Sequence, residues 1–348
     1  MIALGIETSC DETSVSVVRD GRQILSNTVV SSIKAHRPYG GVVPEIASRC
    51  HLEAILPCLE SAVKKSGVGL KKIDLVCVTN GPGLMGSLLV GLSAAKALAM
   101  VLKKPLIGVD HVAAHAYSGV LAEPALRGPW VSLVASGGHT LLLKMSGPDR
   151  LEVLGSTIDD AAGEAFDKVA KILGLGYPGG PEIDRLSRGI DPDLCSFTRP
   201  FLSNESLDFS FSGIKTAVLY KVEKLKKEGR LTQRVKREVC SGFQEAVCEV
   251  LAAKTVRAAK RCSLKTIVIG GGVSANQRLR YCLNKAAAQF ELHLVFPPLS
   301  LCQDNGAMIA SLGTALYQAG RRDRLSLAAY SDFEDALKTR ALDGRSWK

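Results

Sequence analysis

Two stretches of the chain follow the hydrophobic pattern of a β-hairpin. Residues 2–18 (IALGIETSCDETSVSVV) run from an apolar segment through a polar turn into an alternating segment, and residues 130–144 (WVSLVASGGHTLLLK) repeat this around the turn SGGHT. Residues 73–99 and 266–288 each combine an apolar strand, a glycine-rich turn and a helix. Each half of the chain therefore carries a hairpin and then a strand–glycine–helix unit, which predicts two α/β domains built on one plan.

The spacing of these features predicts the domain limits. The hairpin and the strand–glycine–helix unit start about 71 residues apart in the first half and about 136 in the second, so the second half holds an insertion of about 65 residues. We expect a first domain at 1–128 and a second at 129–348, with a mainly helical insertion at about 159–220. In this scheme the C-terminal helices can pack back on the first domain.

The glycine-rich turns favour a nucleotide held between the two domains. Glycine lets the backbone approach a phosphate, and the N–H groups of a turn or helix start attract its charge. Neither glycine cluster has Walker A or Rossmann spacing, and close helix–sheet packing explains either one alone about as well. Four such turns in a two-fold arrangement favour the nucleotide, because packing does not require that symmetry.

The composition favours a polyanionic partner and a reducing compartment. The 348 residues are 46% hydrophobic and 22% charged, with a net charge of +10. This favours nucleic acid as a partner, the alternative being a charge that only aids solubility. The ten cysteines show no C-x-x-C spacing, which indicates reduced thiols. The start of the chain lacks a signal-peptide pattern, and the most apolar helix, 87–102, carries Lys96, so we expect a cytoplasmic protein without a membrane span.

A histidine pair follows the short apolar strand LIGVD. His111 and His115 in DHVAAHAYSG are four residues apart, so a helix would project both from one face. They either bind a metal or are polar residues at a helix start. The zincin motif needs a Glu directly after its first His, where this chain has Val112. Asp304 is the best distant third ligand, although locally it looks more like a helix cap, and His139 is an additional candidate.

The insertion contains further polar candidates. Asp159, Asp160 and Glu164 are expected in the first turns of a helix, with Asp167 one turn later and placed to bind ribose if that face lines the cleft. The segment GYPGGPEID, ending at Asp184, looks too rich in Gly and Pro for regular structure. In DFSFSGIKTAVL, the aromatic residues are candidates for the core, and the polar ones for phosphate contacts: Ser210, Ser212 and Lys215. The basic segment 221–237 is by default a solvated helix face, with a nucleic-acid contact as the second interpretation.

Together these stretches resemble the universal family of tRNA threonylcarbamoyladenosine-modifying transferases, in its bacterial and organellar branch. The resemblance covers residues 2–316 and rests on the His pair and on long motifs in order: GIETSCDETSVSVV, NGPGLMGSLLVG, SGGHT, AGEAFDKVAKILGLGYPGGPEID, DFSFSGIKTAV, GGGVSANQRLR and PPLSLCQDNGAMIA. Three neighbours of site residues depart from the family pattern: Asp110, Ala135 and Gln303.

The resemblance implies a duplicated actin/Hsp70-like (ASKHA) ATPase fold with a central cleft. It implies one divalent metal ion, Fe(2+) with Zn(2+) as the alternative, held by His111, His115 and Asp304. Glu12 matches an acidic residue near the phosphates and is the tentative catalytic residue. The implied contacts to the nucleotide or acyl-adenylate are Val134, Ala135, Ser136, Gly137, Gly138, Asp167, Gly180, Asp184 and Asn276.

The implied activity is an acyl transfer in tRNA modification. The threonylcarbamoyl group passes from threonylcarbamoyl-AMP to N6 of the adenosine 3′ to the anticodon, in tRNAs that read codons beginning with A, and ATP or ADP can occupy the same cleft. The implied partners are tRNA, a paralogous non-catalytic subunit and a small ATPase. The alternatives are an ASKHA-type ATPase or kinase and, less favoured, a metallopeptidase. Candidate tRNA contacts, from the basic segment, are Lys224, Lys226, Lys227 and Arg230.

Overall fold

The chain forms two compact units, each with its own five-stranded sheet. The computed structural model describes residues 1–200, 202 and 205–332. Unit 1 comprises residues 1–128, 145–152 and the described residues from Pro297 onward, and unit 2 comprises 129–144 and the described part of 153–296. The predicted division into domains 1–128 and 129–348 stays a prediction, and residues 333–348 of it lie outside the described residues.

The first sheet has the strand order β3-β2-β1-β4-β5. Its strands are β1 (Ile2–Glu7), β2 (Glu12–Arg19), β3 (Gln23–Ser31), β4 (Leu75–Gly81) and β5 (Leu106–Asp110). Strands β1, β2 and β3 pair antiparallel, with Gly5 opposite Ser16, whereas β1, β4 and β5 run parallel. Strands β4 and β5 are buried along their whole length. Apolar residues therefore occur at successive positions in both strands, since a parallel strand that is covered on both faces buries the side chains of both.

In the described part of the chain, six α-helices accompany the first sheet. They are α1 (Ile33–His36), α2 (Pro44–Ser66), α3 (Met85–Leu102), α4 (His111–Tyr117), α5 (Gly119–Ala122) and α11 (Gly306–Gln318). Helix α2 has Pro44 in its first turn and ends at Gly67, which has φ +67°, a left-handed conformation that glycine adopts without strain. Helix α11 packs on β1, β2, β4 and β5. It brings a segment from late in the chain onto the first sheet.

The second sheet has the order β10-β9-β6-β7-β8. This matches the first sheet read from β5 to β3, with β6, β7 and β8 in the places of β1, β2 and β3. Its strands are β6 (Trp130–Ala135), β7 (Thr140–Met145), β8 (Leu151–Ser156), β9 (Thr266–Gly270) and β10 (His293–Val295). In both sheets three consecutive strands lie side by side, and the first of them pairs in parallel with a later strand. The duplicated α/β plan predicted from the sequence is therefore confirmed.

The described residues of unit 2 form five further α-helices. They are α6 (Ala162–Leu173), α7 (Gly179–Ser187), α8 (Ser212–Lys227), α9 (Gln233–Arg261) and α10 (Gln277–Ala288). Phe209 and Phe211 are fully buried with their rings stacked 6.0 Å apart, so these two aromatics belong to the core of the unit.

Helix α3 is long and apolar enough to cross a membrane by length and composition. Its 18-residue window has a mean hydropathy of 1.8, and 33% of it is buried. Among the described residues it is the single helix that meets this criterion, which a core helix of a soluble protein also meets.

The structure corrects two expectations for the insertion. From Gly179 onward, the segment expected to be irregular forms the start of α7 and includes Pro181 in the first turn. Backbone N–H groups in a first turn have no helical acceptor, so the proline costs no helical hydrogen bond. Asp159 and Asp160 precede α6, which begins at Ala162, so they do not lie in its first turns.

Candidate metal centre and nucleotide-binding turns

The histidine pair lies on a short helix that starts at the carboxyl end of β5, the last strand in the order of the first sheet. Strand β5 ends at Asp110, whose Oδ1 accepts a hydrogen bond from the Ala113 N–H at 2.8 Å and so caps α4. One turn of helix separates His111 from His115, and both are buried. Their rings meet edge to face with centroids 4.7 Å apart. The spacing therefore projects both imidazoles from one face, as expected.

Asp304 closes this pair into a three-residue cluster. Its Oδ1 lies 3.0 Å from His115 Nε2 and 3.5 Å from His111 Nε2. The ligand atoms of the three residues all lie within 4.8 Å of one another. Two imidazole nitrogens and one carboxylate suit iron, zinc or manganese with positions left open for substrate. The donor set of this structure therefore fits a divalent ion.

The interpretation of Asp304 as a helix cap is wrong. Helix α11 begins at Gly306, and the residue that caps it is Asn305, whose Oδ1 accepts from the Met308 N–H at 3.0 Å. Local sequence could not separate two adjacent polar residues before a helix. Because Asn305 satisfies the helix end, the Asp304 carboxylate is left to face the histidines.

A fully buried carboxylate that the sequence did not single out contacts the cluster. Glu7 Oε2 lies 3.0 Å from His111 Nδ1. Burial opposes ionisation of Glu7, but the charge and hydrogen bond of His111 outweigh it and lower the pKa of the carboxyl. The reverse holds at His111, where burial is outweighed by Asp304 and Glu7, and the pKa rises to about 9. A signal was present in the sequence, since Glu7 is the one charged residue of the apolar strand IALGIE.

Glu12, the candidate catalytic residue, lies at the start of β2 and is buried. Burial, followed by the negative charges of Asp304 and Asp11, raises the pKa of its carboxyl to about 10. In the metal-free protein Glu12 therefore carries a proton at neutral pH. Its Oε1 accepts a hydrogen bond from the Ser31 hydroxyl at 3.3 Å.

The candidate nucleotide contacts lie in unit 2, and the first group forms the β6–β7 hairpin tip. Val134 and Ala135 end β6, and the turn that follows is closed by a hydrogen bond from the Ser136 N–H to the His139 carbonyl at 2.8 Å. Gly137 and Gly138 are exposed, and a Cβ on either would meet nothing within 4 Å. The tip is therefore open to an approaching ligand. His139 is not one of the three residues of the metal cluster.

The second group lies on α6, α7 and the start of α10. Asp167 Oδ1 accepts from the Gly179 N–H at 2.7 Å, which ties α6 to the beginning of α7, the helix that carries Gly180 and Asp184. Asn276 caps α10 through Oδ1 and donates through Nδ2 to Gln244 Oε1 at 2.8 Å.

A cavity of about 370 Å³ lies beside this second group. Asp184, Gln244 and Gln277 are among its lining residues, so it brings Asp184 next to the partner of Asn276. Its size is within the range of small-ligand pockets, which is roughly 300–1,000 Å³.

The polar residues of DFSFSGIKTAVL already have intramolecular partners. Asp159 accepts from the Ser210 and Ser212 hydroxyls at 2.5 and 2.7 Å, and from the Phe211 and Ser212 N–H groups at 2.8 and 3.2 Å. Lys215 Nζ donates to Asp160 Oδ2 at 2.7 Å. These residues anchor the start of α8, which is a structural role in place of the phosphate contacts considered from the sequence.

The basic segment covers the end of α8 and the start of α9. Lys224 and Arg230 expose 74% and 71% of their side chains, and each lies near Glu228, at 3.9 and 3.0 Å. Lys226 and Lys227 are also exposed. The segment is therefore a solvated surface whose cations remain accessible to a polyanion.

Comparison with known proteins identifies a family. The family model of TsaD, tRNA N6-adenosine threonylcarbamoyltransferase, matches residues 23–311. A protein of that name from Symbiobacterium thermophilum is 52% identical over 328 residues, 94% of this chain and 95% of its own length. Another from Thermosipho africanus is 51% identical over 320 residues, 92% of this chain and 96% of its own.

Solved structures agree with the expected fold class. A ROK hexokinase from Thermus thermophilus matches with a TM-score of 0.50 at 15% identity, covering 92% of this chain and 99% of that one. Component A of the (R)-2-hydroxyglutaryl-CoA dehydratase from Acidaminococcus fermentans matches with a TM-score of 0.51 at 14% identity, covering 91% and 97%. With the two sheets of matching strand order, they confirm the actin/Hsp70-like α/β fold. At such identity they indicate the fold alone.

Proposed function

The chain belongs to the TsaD family of tRNA N6-adenosine threonylcarbamoyltransferases, and we propose that it transfers the threonylcarbamoyl group from threonylcarbamoyl-AMP to N6 of the adenosine 3′ to the anticodon. The tRNAs are those that read codons beginning with A. One observation carries this proposal: identity of 51–52% with family members over more than nine-tenths of the chain. The buried His111–His115–Asp304 cluster supports it.

The reaction is an acyl transfer from a mixed anhydride. The N6 nitrogen attacks the carbamoyl carbonyl, a C–N bond forms, the C–O bond to phosphate breaks, and AMP leaves while N6 loses a proton. The adenine amine is a poor nucleophile because its lone pair is delocalised into the ring, so the donor has to supply the reactivity. The target base lies in a single-stranded loop, which presents it more easily than a duplex would.

The metal is held, in this proposal, by Nε2 of His111, Nε2 of His115 and the Asp304 carboxylate. A divalent ion bound there supplies Lewis acidity and a template for the acyl-adenylate. Fe(2+) is proposed from the family resemblance, with Zn(2+) as the alternative. Support comes from the donor set, which suits both ions.

The chain's own residues bind and orient the donor. We assign the leaving phosphate to the open tip at Ser136, Gly137 and Gly138, because exposed turn amides bind anions and stabilise the charge that grows on a leaving group. Val134 and Ala135 complete this strand end. The remaining nucleotide contacts are assigned to Asp167, Gly180, Asp184 and Asn276. Glu12, proposed as the catalytic residue, is buried at the start of β2.

The rival activities are less well supported. A zincin-type peptidase needs a Glu general base after the first His, and this chain has Val112 there. An ASKHA-type ATPase or kinase shares the fold, but phosphoryl transfer gives no role to a buried pair of histidines facing an aspartate. Purified protein that hydrolyses ATP or cleaves a glycoprotein without tRNA would favour these alternatives.

The partners are tRNA, a paralogous non-catalytic subunit and a small ATPase, and the location is the cytoplasm. Support for tRNA is the net charge of +10 and the accessible cations of the basic segment. Support for a protein partner is the exposure of large apolar side chains on α2 and α3: Leu52, Leu56, Leu89, Met100 and Val101.

The test uses unmodified tRNA, the full-length protein, threonine, bicarbonate, ATP and a synthase that makes the adenylate, with the partner proteins present. We expect threonylcarbamoyladenosine in the nucleoside digest of tRNAs that read A-starting codons. His111→Ala and Asp304→Ala should each abolish its formation and the bound metal. His51→Ala, which removes a buried histidine outside the cluster, should keep both. Failure of the wild type would refute the activity, and survival of metal and product in His111→Ala would refute the ligand assignment.

A further inference from the structure

Glu7 lies where three parallel strands end. Ile6 on β1 is paired with Val78 on β4, so Glu7 and Thr79 follow at the carboxyl ends of neighbouring strands. On the other side of β4, Gly81 is paired with Asp110, the residue before His111. Side chains at this edge of a parallel sheet point toward the place where α/β proteins keep their ligands. Glu7 is nevertheless fully buried, so its carboxylate has to be satisfied within the protein.

Three groups hold this carboxylate in one orientation. The Ser9 N–H donates to Oε1 at 2.5 Å, the Thr79 hydroxyl donates to Oε2 at 2.6 Å, and His111 Nδ1 lies 3.0 Å from Oε2. An ionised carboxylate only accepts hydrogen bonds, so the proton between Glu7 and His111 belongs to Nδ1. The Ser9 hydroxyl, 3.2 Å from the same nitrogen, can accept from it as well.

In the neutral imidazole that a metal ligand requires, a proton on Nδ1 leaves the lone pair on Nε2 of His111, which faces Asp304. His115 lacks the equivalent support, because its buried Nδ1 has no hydrogen-bond partner among the residues that the structure describes. The two histidines are therefore held differently: a carboxylate fixes the ring of His111 at Nδ1, whereas His115 has its polar contact at Nε2, 3.0 Å from Asp304 Oδ1.

We propose that Glu7 is a positioning residue for metal binding, which fixes the Nδ1–H tautomer and the ring orientation of His111. The inference rests on the metal site proposed above. A carboxylate behind a ligating imidazole raises the basicity of the ligand and removes the freedom of the ring to turn away, and loss of such a partner weakens metal affinity by about 10–100-fold.

The substitution Glu7→Gln tests this with little change in shape. An amide offers one acceptor and one donor, so in one orientation its NH₂ faces the Ser9 N–H, and in the other it faces His111 Nδ1. The second orientation turns Nδ1 into an acceptor and moves the proton to Nε2, where it blocks the ligand position. Either way the Nδ1–H tautomer loses its charged acceptor.

The measurement is Co²⁺ binding to the full-length, metal-free protein, by competition with a chromogenic chelator and by the visible d–d spectrum at saturation. We expect Glu7→Gln to weaken Co²⁺ binding by about 10–100-fold and to change the saturated spectrum, since His111 is no longer presented. The matched control is Thr13→Val, which removes the hydroxyl 2.7 Å from Nδ1 of His51, a buried histidine outside the cluster. It should leave the Co²⁺ dissociation constant and the spectrum unchanged.

The outcomes distinguish a wrong role for Glu7 from a wrong assignment of the metal site. Wild type that does not bind Co²⁺, or binds it equally after Asp304→Ala, refutes the metal site. Wild type that binds, together with a folded Glu7→Gln of equal affinity and identical spectrum, refutes the role of Glu7. If Glu7→Gln does not fold, the same measurements are made on Glu7→Asp, which keeps the negative charge but moves the carboxylate away from His111 by the length of one methylene group. Folded Glu7→Asp with wild-type affinity and spectrum overturns the inference, and weakened binding with an altered spectrum supports it.

Discussion

Substitution of Gly5 by alanine should damage the metal centre through a helix that carries one ligand. Gly5 lies in the middle of β1, where α11 passes over the strand. A Cβ on Gly5 would lie 2.7 Å from the Ala310 nitrogen and 2.9 Å from the Ala310 Cβ, and closer still to the Gly306 carbonyl oxygen. These contacts are with backbone and with a short side chain, so nothing flexible can move out of the way.

The size of the effect follows from these distances. The contact with the Ala310 nitrogen alone falls about 0.7 Å short of the 3.4 Å at which ordinary van der Waals contact begins. We expect α11 to shift by at least that amount, and with it Asp304, two residues before the helix. Metal–ligand distances tolerate only about 0.2 Å, whereas overpacking of this kind lowers the free energy of unfolding by about 1–3 kcal/mol. Co²⁺ affinity should therefore fall by about tenfold or more, which is about 1.4 kcal/mol, in a protein that still folds.

The matched control is Gly313→Ala on the same helix. A Cβ on Gly313 would lie 2.8 Å from the Cys77 Cβ, about 0.6 Å short of ordinary contact, but two turns further from Asp304. Calorimetry gives the change in Tm of each variant and chelator competition the Co²⁺ dissociation constant. We expect both variants to lower Tm, and Gly5→Ala alone to weaken Co²⁺ binding. Equal affinities in Gly5→Ala and wild type, or an equal loss in Gly313→Ala, would show that the close approach of β1 and α11 does not set the ligand geometry.

Two further predictions concern unit 2. Replacing the four candidate tRNA contacts with alanine should lower the slope of log affinity for tRNA against log salt by up to about three units, if each contacts a phosphate. The control is the same loss of charge at Lys64, Lys65, Lys71 and Lys72. An unchanged slope would show that the basic segment is only a solvated helix face. Asp159→Ala should lower the free energy of unfolding by about 0.5–2 kcal/mol, as for a lost helix cap. Partial burial opposes ionisation of Asp159, but hydrogen bonds from Ser210 and Ser212 outweigh it and lower its pKa. The stability it adds is therefore full above the unfolded-state value near 3.8 and is lost as the pH falls through the lower folded value. A Tm difference between wild type and Asp159→Ala that persists unchanged at pH 2 would contradict this.

Much of the fold could be predicted because its signals are local. Strand β5 is a short apolar run that ends in Asp110, and the imidazoles that follow it project from one face because α-helical geometry sets their spacing. The expectation of irregular structure for GYPGGPEID is wrong from Gly179 onward, because Gly and Pro are compatible with a first helical turn, where the backbone N–H groups have no helical partner.

The sequence by itself determined the duplicated α/β plan and the pairing of two histidines on one helix. Both follow from periodicities of the backbone, which operate over a few residues. Only the tertiary structure decided that Asp304, 189 residues beyond His115, faces the pair and that its neighbour Asn305 caps the helix. It also decided that Glu7 stands behind His111 and that Asp159 anchors a helix 53 residues away. Such contacts depend on strand register and on how closely helices pack against a sheet, which no short stretch of sequence contains.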